Sequence, residues 1–301
     1  MTVIKNVAIA GATGNLGPAV LNELISSRKF NITVLKRASS TGTIPASVKS
    51  IVVDYNSLDS LKNALQGQDA VVSTVGTPAF EGQKLIIDAA IAANVKRFIP
   101  SEFGSDTKLP SNQKLPVFGG KVQVQRYLED KARTSSITYT YVVNGAFLDW
   151  GLRVGFVLAP AAQKAEIYDG GDQLFSASRL STVGKAVVGV LEHPDETVNR
   201  AVYVNDIATS QNKLLEISKK LTPGKAWQVT QADTAKLTAE SDAALAKGDI
   251  NDGVFYNYIR RAIWGAGHGG HFQKLDNKLL GIPEMTEKEV EDLIASIIAG
   301  H

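Results

Sequence analysis

The 301-residue sequence contains no cysteine. This absence excludes a disulfide framework, a thiolate nucleophile and a sulfur-ligated metal site. No apolar run approaches the ~18 residues that a membrane helix needs. The first segment, MTVIKNVAIAGATG, leads straight into glycines and lacks the apolar core of a signal peptide. We therefore expect a cytoplasmic protein that does not contact a membrane.

A strong excess of charge is also missing, because 32 basic residues face 30 acidic ones and leave a formal charge of +2. These charges are spread along the chain and form no basic stripe of the kind that binds nucleic acid. With 44% hydrophobic residues, the chain can bury one large core, or a core with an appended lobe. We expect a small-molecule ligand, no nucleic acid, and a monomer or homodimer.

The amino-terminal half alternates short β-branched runs with longer helical patterns. The strand patterns cover residues 6–10, 31–36, 48–54, 69–75, 95–100 and 137–143, and the helical patterns cover residues 16–27, 57–66, 80–93 and 121–133. Such alternation is typical of an α/β fold with a doubly wound parallel sheet and right-handed crossovers. We predict that this domain spans residues 1–150.

The alternation weakens in the carboxyl-terminal half. Here the patterns predict a hairpin over 165–181, a helix over 183–194, a strand over 200–206, and helices over 210–221, 233–247 and 286–300. We predict a smaller substrate-binding lobe over residues 151–301 that caps the first domain. The helix and strand of 183–206 are predicted to return to that domain.

The segment AIAGATGNLG places Gly11, Gly14 and Gly17 at three-residue spacing between the first strand and the first helix. Glycines at such a junction allow a tight turn and let the backbone approach a pyrophosphate, whose charge the helix amino terminus stabilises. The position in the alternating pattern favours a Rossmann-type dinucleotide site over a structural turn. Its predicted residues are Gly11, Thr13, Gly14, Asn15, Leu16 and Gly17.

The end of the second strand bears on the cofactor type. A carboxylate there would accept hydrogen bonds from the ribose of NAD, but this chain has Lys36 and Arg37, which suit a 2′-phosphate. The sequence therefore predicts NADPH or NADP, although a basic strand end can also simply face solvent. The fourth strand ends in Ser73-Thr74-Val75-Gly76-Thr77, and Thr74, Val75 and Gly76 either border the cofactor or form an ordinary turn.

Two lysines in the helix predicted over 121–133 compete for a catalytic role. Lys131 completes a Tyr-x-x-x-Lys pattern with Tyr127, the acid/base pair of short-chain dehydrogenases, whereas Lys121 follows PVFGG at the start of the helix. A separation of roughly 15 Å along the helix leaves only Lys121 near the carboxyl edge of the sheet. Lys121 is therefore either a proton shuttle whose pKa is lowered by burial or a solvated surface lysine.

Four segments give the chain a family resemblance: GATGNLG (11–17), VLKR (34–37), VKRFIPSEFG (95–104) and KVQVQRYLE (121–129). With ITYTYVVNGAF (137–147) after them, they resemble the NmrA-like, isoflavone reductase-like branch of atypical short-chain dehydrogenases. That branch includes phenylcoumaran benzylic ether reductases and pinoresinol-lariciresinol reductases. The string KRFIPSEFG is the most specific part of the match.

The resemblance implies an NADPH-dependent reductase that acts on an aromatic, phenolic or conjugated small molecule. It implies that Lys121, eight residues before the helix glutamate, is the general acid/base, and that Arg37 holds the 2′-phosphate. The remaining implied site residues are Ser101 and Phe103 in the crevice, with Asn144 and Phe147 beside the nicotinamide. The family also contains members that sense NADP(H) without turnover, so a regulatory protein is the alternative function.

The segment AIWGAGHGGHFQ (262–273) collects glycines, Trp264, His268 and His271 in a predicted loop. The H-x-x-H pair lacks the third ligand that a catalytic zinc usually has, so we predict no metal site. The segment could form a pocket rim with an aromatic wall and a titratable hydrogen-bonding group, or it could be a structural loop. Trp150 is likewise a pocket wall or a core residue, and the core is favoured.

Overall fold

The structure, a computed structural model, describes residues 2–76 and 79–300. Its strands are β1 (Asn6–Ala10), β2 (Asn31–Lys36), β3 (Lys49–Val52), β4 (Ala70–Ser73), β5 (Arg97–Ile99), β6 (Thr138–Val143), β7 (Ala146–Phe147), β8 (Lys164–Tyr168), β9 (Phe175–Ser178), β10 (Arg200–Tyr203), β11 (Ile207–Thr209) and β12 (Gln228–Ala232). Its helices are α1 (Gly17–Ser27), α2 (Leu58–Leu65), α3 (Gln83–Ala92), α4 (Pro110–Gln113), α5 (Gly119–Thr134), α6 (Leu148–Arg153), α7 (Leu180–Glu192), α8 (Gln211–Leu221), α9 (Thr234–Ala246), α10 (Asp252–Trp264) and α11 (Glu287–Ile298).

A parallel sheet with helices on both faces forms the centre of the molecule. Within the described ranges it has seven strands in the order β10-β6-β5-β4-β1-β2-β3, and every neighbouring pair is parallel. The doubly wound α/β fold predicted from the strand–helix alternation is confirmed. Strand order reverses beside β1, where such sheets open a ligand crevice at their carboxyl edge.

Alternate residues of β1 pack into two separate cores. Val7 and Ile9 point to the face covered by α1 and α7, whereas Ala8 and Ala10 point to the face covered by α2, α3 and α5. Successive strand side chains point to opposite faces, so a fully buried strand must be apolar on both. This requirement explains the continuous apolar run NVAIA in the sequence.

A separate core outside the central sheet is formed by the two smaller sheets, β11-β9-β7 and β12-β8, with helices α6, α8, α10 and α11, and is called the lobe below. The chain returns from it to the central sheet. Helix α7 packs on α1, and β10 pairs in parallel with β6 at the edge of the sheet. Gly184 makes the close helix contact possible, because a Cβ there would lie 2.9 Å from the main-chain oxygen of Ala19. The division of the chain near residue 150 stays a prediction.

The predicted hairpin over 165–181 is wrong. Strand β8 pairs in parallel with β12, while β9 pairs with β7 and β11. The connecting Gly170 and Gly171 adopt φ of +83° and +82° and are held by Asn212 on α8, which turns the two strands into different sheets. Strand patterns predict that a strand exists, but its partner depends on distant segments.

Helix α10 differs from the sequence prediction, which placed residues 262–273 in a loop. The helix runs to Trp264 and begins where the side chain of Asn251 accepts a hydrogen bond from the amide of Val254, at 3.1 Å. Helix α10 thus forms part of the boundary between the lobe and the central sheet. Within the described ranges, none of the helices has both the length and the apolar character that crossing a membrane requires.

Candidate functional site

The glycine loop joins β1 to α1 in tight contact with the end of β4. Gly11 has φ +83°, and a Cβ on it would lie 2.7 Å from the main-chain carbon of Thr74. A Cβ on Gly17 would lie 2.2 Å from the carbonyl oxygen of Gly11. Both positions therefore require glycine, and the loop brings backbone amides to the amino terminus of α1, as anion binding at a helix terminus requires.

A cavity of about 480 Å³ opens beside this loop at the carboxyl edge of the sheet. The glycine loop and the end of β4 line one side, and α5 with the lobe lines the other. Its lining residues on the sheet side are Gly14, Asn15, Leu16, Thr74, Val75, Gly76, Ser101, Phe103, Gly104 and Ser105. The remaining lining residues are Phe80, Val117, Phe118, Lys121, Gly145, Ala146, Phe147, Trp150, Phe156, Tyr256, Ile259 and Ile263.

Ten of the nineteen sequence-predicted site residues line this cavity, and the other nine lie elsewhere. Asn144 is fully buried at the end of β6 and lies behind the lining. Lys36 and the exposed Arg37 lie at the end of β2, outside the lining described above. Gly11, Thr13 and Gly17 form the loop itself, and Thr77 lies outside the described residues.

Lys121 is the one charged side chain among the described residues that line the cavity. It lies in the first turn of α5, is 9% exposed, and its Nζ donates to the main-chain oxygen of Glu102. The rings of Phe80 and Phe118 lie 5.7 and 5.9 Å from Nζ. Burial lowers the pKa of Lys121, and the negative charge of Glu102 partly opposes that shift. An ammonium so placed can exchange a proton with a ligand in the cavity.

Tyr127 and Lys131 lie on another face of α5 and contact Asp88 of α3. The Tyr127 hydroxyl lies 2.7 Å and the Lys131 Nζ 2.8 Å from that carboxylate. Neither residue is among the described residues that line the cavity. Their Tyr-x-x-x-Lys spacing thus builds a surface cluster with Asp88.

The sequence-based interpretation missed most of the apolar wall of the cavity. Tyr256, Ile259 and Ile263 recur at helical spacing on α10, and this spacing is the sequence signal that could have identified them. Phe156 lies between Tyr256 and the lobe core, and the centroids of the Phe156 and Tyr256 rings are 5.8 Å apart. Trp150, for which the core was favoured, lines the cavity.

The predicted pocket rim at Trp264, His268 and His271 needs correction. Trp264 is 1% exposed and stacks on Tyr168 at 4.7 Å between centroids, so it belongs to the lobe core. Nδ1 of His268 lies 2.9 Å from Asn112, and burial lowers the pKa of His268. None of the three is among the described residues lining the cavity, because helix α10 turns Tyr256 and Ile263 toward it instead.

Within residues 2–76 and 79–300, no three His, Cys, Asp or Glu side chains are grouped so as to hold a metal ion. The described cavity presents backbone amides of the glycine loop, an aromatic wall and the Lys121 ammonium.

Comparison with known proteins agrees with this architecture. The NmrA-like family model matches residues 4–237. An oxidoreductase from Aspergillus flavus, aprR, is 35% identical over 301 aligned residues, covering 98% of this chain and 99% of that protein. The isoflavone reductase homolog IRL of Zea mays is 32% identical and covers 74% of this chain and 71% of its own length.

Solved structures with the same fold include reductases bound to their cofactors. AtPrR2 with NADP+ and (+)pinoresinol superimposes with a TM-score of 0.79 at 21% identity, covering 99% of this chain and 100% of that one. The Vitis vinifera leucoanthocyanidin reductase–NADPH complex gives 0.78 at 20% identity, covering 98% and 99%. At this identity the likeness to solved structures shows the fold alone, whereas the family model and the full-length Aspergillus flavus relative show the family. The chain belongs to the NmrA-like family, among its isoflavone reductase-like oxidoreductases.

Proposed function

We propose that this protein is an NADPH-dependent reductase of an aromatic or conjugated small molecule, with Lys121 as its general acid/base. The observation that supports this proposal most strongly is the continuity of the cavity. It runs from the amino terminus of α1, past the buried Lys121, to an aromatic wall contributed by the lobe. A cofactor and an apolar substrate could meet there beside one proton donor.

The residues present fit an NADP-type cofactor. Gly11 and Gly17 let the loop fold tightly on itself and on the end of β4, and Gly14, which lines the cavity, leaves the backbone accessible to a pyrophosphate. Lys36 and Arg37 stand where an NAD-binding protein has a carboxylate, and these cations would hold the 2′-phosphate. When bound, NADPH supplies a hydride to an electrophilic carbon of the substrate.

The side chains around Lys121 set the conditions for proton transfer. Phe80, Phe118 and Trp150 line the cavity and would stack on a flat substrate, which would exclude water from the reacting atoms. In this low-dielectric surrounding the ammonium would stabilise a negative charge that develops on a substrate oxygen, and would then donate its proton. An oxygen that starts as a phenol would instead lose its proton to the neutral amine.

Binding and turnover test this function separately. Titration calorimetry with NADPH and NADH measures cofactor affinity, and loss of absorbance at the NADPH band measures turnover on a panel of phenolic and conjugated compounds. NADPH consumption that depends on one of these compounds would support the reductase. Tight NADPH binding without consumption on any of them would favour the NADP(H)-sensing regulator found in the same family.

Cofactor selectivity gives a second test at the end of β2. We expect Arg37→Gln to weaken NADPH binding about 10- to 100-fold, because a charge-assisted hydrogen bond to the 2′-phosphate is lost. NADH binding should hardly change. Lys49→Gln is a matched control, since Lys49 is an exposed cation at the amino end of the neighbouring strand β3. Equal weakening of NADPH and NADH by Arg37→Gln would contradict the assigned role.

A further inference from the structure

Glu102 lies beneath the cavity floor and contacts two successive turns of α5. Its main-chain oxygen accepts a hydrogen bond from Lys121 Nζ, and its carboxylate accepts one from Gln125 Nε2 at 2.8 Å. Lys121 and Gln125 are four residues apart and therefore share one face of the helix. The whole of Glu102 is 3% exposed. The buried Glu102 thus contacts both Lys121 and the next turn of α5, at Gln125.

The Glu102 carboxylate is held by neutral donors. Thr107 Oγ1 donates to the same oxygen as Gln125, at 2.7 Å, and both donors are almost fully buried. Two hydrogen bonds to one carboxylate oxygen favour its ionised form. Within the described residues no cation lies within ion-pair distance of this carboxylate; the cations that act on it are Lys121, whose Nζ contacts the main chain of the same residue, and Lys108.

For Glu102 and Lys121, burial and their mutual attraction shift each pKa in opposite directions. Burial is the larger cause in both, raising the pKa of Glu102 and lowering the pKa of Lys121, while their mutual attraction opposes each shift. Without a negative neighbour, a lysine buried between Phe80 and Phe118 would lose its proton at a much lower pH. The state of Lys121 therefore depends on Glu102.

We propose that Glu102 is a positioning residue for Lys121: its main-chain oxygen fixes Nζ at the cavity, and its carboxylate stabilises the Lys121 ammonium. The importance of this role for turnover rests on the reductase function proposed above. The electrostatic effect itself does not, because it is a property of the folded protein with or without a substrate.

The titration of Lys121 can be followed directly by NMR in protein labelled with [ε-13C]lysine, with the signal assigned from its loss in Lys121→Arg. We expect Glu102→Gln to lower the titration midpoint of Lys121 by about one pH unit or more. Glutamine keeps the size of the side chain and can still bond to Thr107 and Gln125. Glu129→Gln, on the same helix but bonded to Lys108 and Tyr141, is the matched control and should leave the midpoint unchanged.

A second variant tests the proposal even if Glu102→Gln does not fold. Thr107→Val retains the carboxylate but removes one of its donors, so the midpoint of Lys121 should fall by a smaller amount, and Thr107→Ser should restore it. A midpoint that stays at the wild-type value in Glu102→Gln, or in Thr107→Val if the first variant does not fold, would overturn the proposal.

The pH dependence of turnover gives the corresponding kinetic readout. Whether Lys121 acts as acid or base, the limb of the kcat profile that it controls should move to lower pH in Glu102→Gln, because its pKa falls. An unmoved limb would overturn the kinetic part of the proposal. If the protein turns over none of the compounds tested, the reductase function fails while the NMR titration still decides the role of Glu102.

Discussion

Replacement of Lys121 by methionine is expected to lower kcat about 10²- to 10⁴-fold, the usual contribution of a positioned general acid or base. Methionine keeps an unbranched apolar stem between Phe80 and Phe118 and removes only the ammonium. The dissociation constant for NADPH should change little, because the loop residues and Arg37 are untouched. Steady-state kinetics, with calorimetry of NADPH binding, measures both effects.

Lys131→Met is the matched control, since it removes an ammonium from the same helix α5. Lys131 is bonded to Asp88, its side chain is 37% exposed, and we expect kcat within about twofold of wild type. The wild-type pH profile should contain a group with a pKa below that of a free lysine, and Lys121→Met should lose it. Full activity in Lys121→Met, or its loss in Lys131→Met, would show that the wrong lysine was chosen.

Replacement of Arg97 by methionine is expected to lower the free energy of unfolding by about 3–4 kcal/mol, because several hydrogen bonds to a buried cation are lost. Arg97 on β5 is 2% exposed. Its guanidinium donates to the hydroxyls of Thr138, Thr140 and Thr197, at 2.9, 2.9 and 3.1 Å, and to the carbonyl of Pro194 at 2.5 Å. Burial lowers its pKa to about 10, so it is still charged at neutral pH.

These bonds join the neighbouring strands β5 and β6 and the segment after α7. Thr140 also donates its own proton to the carbonyl of Thr197, so the methionine variant leaves buried acceptors without a partner. Urea unfolding at neutral pH measures the effect as a lower midpoint with an unchanged slope. The adjacent Lys96→Met removes an exposed ion pair with Asp69 and should cost less than about 1 kcal/mol. Equal losses in the two variants would contradict the role of Arg97.

The sheet and the approximate place of the site follow from local sequence. Apolar runs such as NVAIA predict strands buried on both faces, and their alternation with helical spacing predicts parallel order. Gly11 and Gly17 are readable because the turn and the helix start that they serve are adjacent in the chain. Lys121 was separated from Lys131 by helix geometry alone, since only the first turn of α5 lies at the carboxyl edge.

Contacts between distant segments decided the rest. The partners of β8 and β9 depend on β12 and β11, which lie far along the chain, so the strand patterns could not reveal that no hairpin forms.

The burial of aromatic residues also depends on such contacts. The sequence offered Trp264 as part of a pocket rim and favoured the core for Trp150, but packing buries Trp264 in the core while Trp150 lines the cavity. Only the fold brings the carboxylate of Glu102 to Thr107 and Gln125. Local sequence thus determined the sheet, the loop and the place of Lys121 near the carboxyl edge, and the family resemblance made Lys121 the catalytic candidate. Tertiary packing determined which side chains surround that candidate, because burial and charge depend on every segment that meets there.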